Sequence, residues 1–170
     1  MTSPLLEFYR GRAADAAGRF IADVWTWDDD RLEAVHNYIQ WLFPLPEPSA
    51  YNYRAPLLTA EDIQAFHADE TLRARLRQSF ERFLQFLGLQ ESGGAVVDGP
   101  NLAERIADVW DGQNHNWLRI TRVLRCLTLL GLTAEADALF RWLAECHQQR
   151  RFPGLAASFP YWQEAVAKIS

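Results

Sequence analysis

Lysine is nearly missing from this chain: of its 17 basic residues only Lys168 is lysine, and the rest are arginine. That bias reads as genome composition rather than fold. Cysteine is scarce, with only Cys126 and Cys146, which excludes a disulfide framework. If the helices carrying them form a hairpin turning near Leu132, the two thiols are offset by ~12 Å along the axis. A bridge tolerates only ~7 Å between Cα atoms, so both are expected to be reduced core thiols. No excess of positive charge exists either. The formal net charge is −5 and the pI near 5.3, which argues against a general nucleic-acid binder.

Long apolar runs are also missing. No stretch could span a bilayer, and the start, MTSPLLEFYRGRAADAAGRF, has neither the basic opening nor the continuous apolar segment of a signal peptide. The expectation is a soluble, intracellular, cytoplasmic protein. Catalytic and cofactor signatures are equally thin. Gly93-Gly94 has no preceding strand and no GK[ST]. Ser49, Ser79, Thr121 and the cysteines sit in no G-x-S-x-G-like setting. Glu33 and His36 have the E-x-x-H spacing of di-iron bundles, but no other glutamate has a histidine three residues on. Neither a metal nor a cofactor is expected.

What the chain has in quantity is apolar surface at helical spacing. Nearly half of its 170 residues are hydrophobic, enough for one real core, so residues 1–170 read as a single domain. Leu5, Leu6, Phe8 and Tyr9 suggest a short helical turn, and Ala13–Trp25 a possible further helix. Asp28–Asp30 supply an N-cap and an acidic first turn for a helix over Arg31–Phe43. It stops at Pro44. Four prolines in Pro44–Pro56 dictate an extended, ordered wrap, with Tyr51 and Tyr53 expected to pack down. Thr59 with Asp62 resembles a capping box for Ala60–His67, and Glu70–Leu87 is an amphipathic helix ending at Gly88. Gly88–Pro100 reads as a flexible loop, and Asn101 as the cap of a short helix through Trp110. Asn114–Leu132 is apolar nearly all round, the mark of a buried helix. Gly131 closes it, Ala134–Gln148 follows, and Ser158 with Pro160 opens a last short helix. The fold class is therefore all-α: a compact single-domain bundle of about six to eight helices with a Pro-rich ordered wrap.

Two stretches carry the chemistry. On Asn114–Leu132 the polar stripe is narrow: His115, Arg119 and Arg122, continued by Cys126. Buried cations need partners or a ligand. One reading is a structural network with Glu33, His36 and Gln40 from the Arg31–Phe43 helix as counterparts. The other is a pocket in which Arg119 and Arg122 grip a carboxylate or phosphate through guanidinium forks. Both require the two helices to face one another. Asn37 and Trp41 lie opposite the first helix's apolar face, which makes Trp41 a candidate aromatic anchor. With Asn116, these residues complete the candidate ligand-binding set.

HNYIQWLFPLPEPS (His36–Ser49) and HNWLRITRVLRCLTLLGL (His115–Leu132), with APLLT (Ala55–Thr59) and FLGL (Phe86–Leu89), resemble the N-terminal domain of the opioid growth factor receptor family. The shared pattern covers about Leu32–Phe140. The resemblance implies a receptor-like, non-enzymatic module. Vertebrate members bind the enkephalin peptide, act at the nucleus or nuclear membrane and carry further C-terminal sequence, while compact bacterial members end soon after the shared region. The leading expectation is thus binding of a short peptide or small anionic ligand: its ring on Trp41, its carboxylate on Arg119 or Arg122, its amine on Glu33. An enzyme using His36 or His115 as acid–base on a small anionic metabolite, and a structural module for a protein partner, are the alternatives.

Overall fold

The computed structural model describes residues 2–167. They are mostly helical, with one two-stranded hairpin, and fall into two compact units whose boundary lies between Ser79 and Phe80.

In the first unit, α1 (Pro4–Tyr9) begins where Ser3 Oγ accepts the Leu6 N–H at 3.1 Å and Pro4 presets the first turn. Its Leu5, Phe8 and Tyr9 are buried. Phe8 meets Trp41 at 5.2 Å between ring centroids, and Tyr9 meets Phe66 edge-on at 5.2 Å. The Tyr9 hydroxyl donates to the Leu42 carbonyl, and Ser79 Oγ accepts from Trp25 Nε1 at 2.9 Å, so these buried polar tips are hydrogen-bonded. The expected helix over Ala13–Trp25 forms only as α2 (Ile21–Trp25). α5 (Ala60–Ala68) starts from the capping box as expected: Thr59 Oγ1 accepts the Asp62 N–H and Asp62 accepts the Thr59 N–H.

The helix expected over Arg31–Phe43 is two helices. α3 (Asp29–Ala34) is capped by Asp28, whose carboxylate accepts the Arg31 N–H at 2.8 Å. It ends at Val35, which is extended (φ −95°, ψ 130°), and α4 (Ile39–Leu42) follows after a bend. Contacts from elsewhere in the unit stabilise the break. Arg19 donates to both the side chain and the backbone carbonyl of Asn37, and the Tyr38 hydroxyl donates back to the Leu32 carbonyl at 2.9 Å. A carbonyl engaged this way does not need an intrahelical partner.

α6 (Glu70–Leu87) contains the boundary between the units. Leu72, Leu76, Phe80, Phe83 and Leu87 are buried along it. In the first unit Glu70 pairs with Arg73 at 2.5 Å and Arg77 at 2.6 Å.

The second unit opens with a correction. Gly88–Pro100 is not a loop but a hairpin of β1 (Leu89–Ser92) and β2 (Ala95–Asp98), antiparallel with Leu89 opposite Asp98 and Ser92 opposite Ala95. Gly93 and Gly94 both have positive φ (59° and 83°), the requirement of a two-residue type I′ turn. At the hairpin's base a Cβ on Gly88 would come within 2.8 Å of the Leu102 backbone. Next come α7 (Leu102–Arg105) and a five-residue π-helix, Ile106–Trp110, in place of the single short helix expected.

α8 (His115–Leu129) and α9 (Thr133–Gln148) pack on each other and on α10 (Leu155–Ala165), and β2 lies against α9. A Schellman closure ends α8: Gly131 has φ +90° and the Leu132 N–H reaches the Leu127 carbonyl at 2.9 Å. α10 begins at Leu155 after left-handed Gly154, three residues before the expected start, and carries Pro160 inside it. The unit's core is aromatic. Trp110 contacts Trp142 and Phe152, and Trp117 contacts Trp162 edge-on at 5.7 Å. Cys126 and Cys146 are buried free thiols, as expected. Among the described residues no helix is long and apolar enough to cross a membrane.

Candidate functional site

The first unit uses its share of the candidate residues in several ways. Glu33 is half-buried near the end of α3, while His36 and Asn37 lie beyond it and are exposed. The break therefore removes the helical stripe that was to align Glu33, His36 and Gln40. Asn37 is held by Arg19 at 2.9 Å through its side-chain oxygen. Arg19 is itself clamped by the fully buried carboxylate of Asp15, which accepts from Arg19 Nε at 2.7 Å, from Nη2 at 2.6 Å and from the backbone N–H groups of Ala17 and Arg19. The guanidinium also stands 5.3 Å from the Trp27 ring, which Arg31 approaches at 4.1 Å.

Gln40 is buried, and its side-chain carbonyl accepts from Asn52 Nδ2 at 3.3 Å, tying α4 to the proline-rich wrap. The Leu58 N–H closes the wrap on the Leu45 carbonyl at 3.0 Å. Trp41 does not stand on an outer face. It is 7% exposed and packed on Phe8, because the bend turns α4 so that Ile39, Gln40, Trp41 and Leu42 are all buried. Tyr51 and Tyr53, expected to pack down, are instead 78% and 76% exposed. Arg54 lies 5.6 Å from the Tyr53 ring centroid.

In the second unit the motif at the start of α8 is largely engaged by the π-helix. Asn114 Nδ2 donates to the Val109 carbonyl at 2.9 Å, and Trp117 Nε1 to the same oxygen at 2.7 Å. Asn116, fully buried, donates to the Asp108 carbonyl at 3.3 Å. These three side chains supply partners for carbonyls at the end of an irregular helix, where the regular ladder runs out. Asn116 Oδ1 in turn accepts from Arg119 at 3.4 Å. Arg119 is 5% exposed and stands 5.8 Å from the Phe86 ring, which Arg105 approaches at 4.8 Å. Arg105 also donates to the Phe86 carbonyl at 2.7 Å and pairs with Asp108 at 3.0 Å.

The outer side of α8 is different. His115 is exposed, Leu118 is 52% exposed, and Arg122 and Arg125 are half-buried. At 100° per residue these four lie within about 80° of one another. Leu118 was not a sequence candidate. Its spacing matched the apolar flank of the helix, and only its position relative to the packed neighbours α9 and α10 reveals the exposure. Cys126, which continues the stripe in sequence, is fully buried, and desolvation pushes its thiol far above the ordinary range.

The second unit is thus a set of helices and one hairpin around an aromatic core, with α8, apolar on most sides, carrying arginines along a narrow polar stripe. Residues 4–168 match the conserved region of the opioid growth factor receptor, and the chain belongs to that family. It is 38% identical to the human opioid growth factor receptor over 173 residues, covering 96% of this chain and 25% of that protein. The mouse receptor is 36% identical over 161 residues, covering 90% and 25%. The opioid growth factor receptor-like protein 1 of Xenopus tropicalis is 38% identical over 113 residues, covering 65% and 22%. The chain spans about a quarter of the length of these curated relatives. No solved structure matches it significantly.

Proposed function

We propose that this chain is a non-enzymatic ligand-binding module whose preferred ligand is a short peptide with a free carboxylate. The observation that carries the reading is the outer row of α8: His115, Leu118, Arg122 and Arg125, two arginines and a histidine around one exposed leucine. Such a row offers guanidinium forks to a carboxylate and an apolar seat to a neighbouring side chain. Family membership supports the peptide class, because the relatives are named as receptors for an opioid growth factor. Calorimetric titration with enkephalin peptide tests it. Saturable heat that weakens about tenfold in Arg122→Ala supports the reading, a size typical of one lost charged hydrogen bond. Absence of heat with a folded protein removes it.

A second reading, a module that docks a protein partner, is supported by a different observation, the two tyrosines held out on the wrap at Tyr51 and Tyr53. Tyrosine and arginine are the side chains that most often anchor interfaces. Loss of partner binding in Tyr51→Ser/Tyr53→Ser, with enkephalin binding intact, would separate this reading from the first.

A further inference from the structure

Five interactions in the second unit close a circuit. Arg119 donates to Asn116 Oδ1 at 3.4 Å, and Asn116 Nδ2 donates to the Asp108 carbonyl at 3.3 Å. The Asp108 carboxylate accepts from Arg105 at 3.0 Å, and Arg105 donates to the Phe86 carbonyl at 2.7 Å. The Phe86 ring then meets Arg119 again at 5.8 Å. Asp108 is the middle residue of the π-helix Ile106–Trp110.

Asn116 is the critical member, because its amide is directional. One end accepts and the other donates, and a rotation by half a turn swaps them. The Arg119 guanidinium, which can only donate, fixes the oxygen toward itself and thereby aims the amide nitrogen at the Asp108 carbonyl. π-helical turns are rare and frequently fall at functional sites, and the carbonyls at a helix end need partners from outside it. Here those partners include Asn114, Asn116 and Trp117, all from the first turn of α8 or just before it.

From this arrangement we infer that Asn116 is a positioning residue that couples Arg119 to the π-helix, so that losing either the Arg119 guanidinium or the Asn116 amide donor loosens Ile106–Trp110. The coupling is measurable without ligand. Local opening is a population shift within the unit, so its observable is amide hydrogen exchange rather than global melting.

The test is peptide-resolved hydrogen exchange on the full chain in three variants. Asn116→Asp keeps the shape and the acceptor for Arg119 but cannot donate to the Asp108 carbonyl. Arg119→Leu removes the group that orients the amide. Arg122→Leu removes an arginine of the same helix that stands outside the circuit. The expected result is exchange across Ile106–Gly112 about tenfold faster in the first two variants, with the hairpin Leu89–Asp98 unchanged and Arg122→Leu like wild type. Unchanged exchange at Ile106–Gly112 in Asn116→Asp overturns the coupling. So does an equal rise across the whole second unit, which makes Asn116 an ordinary core residue.

Discussion

The two family motifs begin alike, HNYIQWL at His36 and HNWLRITRVL at His115, yet their histidine–asparagine pairs do opposite things. In the second motif the pair opens a continuous helix: Asn116 is fully buried and bonded to the π-helix beneath it. In the first the pair sits in a gap between two short helices, exposed, with Asn37 gripped by Arg19. Local sequence is nearly the same for four residues. What differs is which backbone carbonyls nearby need a partner. In one case the asparagine supplies the partner. In the other its own carbonyl receives one, and the helix stops.

The hardest break in that comparison is Trp117→Ala. This side chain is fully buried, packs on Trp110 and Trp162 and donates to the Val109 carbonyl. Truncation should cost about 3–5 kcal/mol, read as a lower denaturation midpoint in urea. Next is Asp15→Ala. It strands Arg19, the residue that holds the gap at Asn37, and should cost roughly 3 kcal/mol, toward the low end for a broken buried pair because Arg19 is partly solvated. A circular-dichroism melt checks it. A loss near zero would mean that the Asp15 clamp does not stabilise this unit.

The paired acid in the second unit gives a smaller effect with a defined sign. Arg151 forks onto Asp98 at 2.9 and 2.5 Å and holds its carboxyl below the usual range, with Trp142 adding a third donor. A depressed folded-state value means the stabilisation is present above the ordinary carboxylate range and is lost as pH falls through the folded-state value. Asp98→Asn should therefore lower stability slightly at neutral pH, by no more than about 1 kcal/mol because the pair is partly solvent-screened, and match wild type in acid, which flattens the acid limb of the stability curve. Smallest of all, Tyr51→Ser with Tyr53→Ser should shift stability by less than about 0.5 kcal/mol, because both rings are already in water. A larger loss would mean that the wrap draws on them after all.

Much of the helical frame was legible in the sequence. Glu70–Leu87, His115–Leu129 and Thr133–Gln148 show sustained apolar recurrence, and their periodicity is enough to define them. The break at Val35–Tyr38 was not legible, because its cause lies eighteen residues upstream in Arg19. The hairpin was hidden for another reason. Gln90, Glu91 and Ser92 are all exposed, so β1 has no alternation to read, and Gly93-Gly94 announces a turn without announcing strands. For the candidate residues, polarity was legible but engagement was not. Asn116 and Trp41 looked like contacts for a ligand, and both are buried in their own unit.

The two thiols have a practical consequence. Burial pushes Cys146 up to about 11 and Cys126 higher still, so neither presents the reactive thiolate at neutral pH. An alkylating reagent will modify them only when their surroundings open. They lie on α8 and α9, so timed alkylation under native conditions would record how often the interior of the second unit is laid bare. The first unit, which has no cysteine, would stay silent in the same tube.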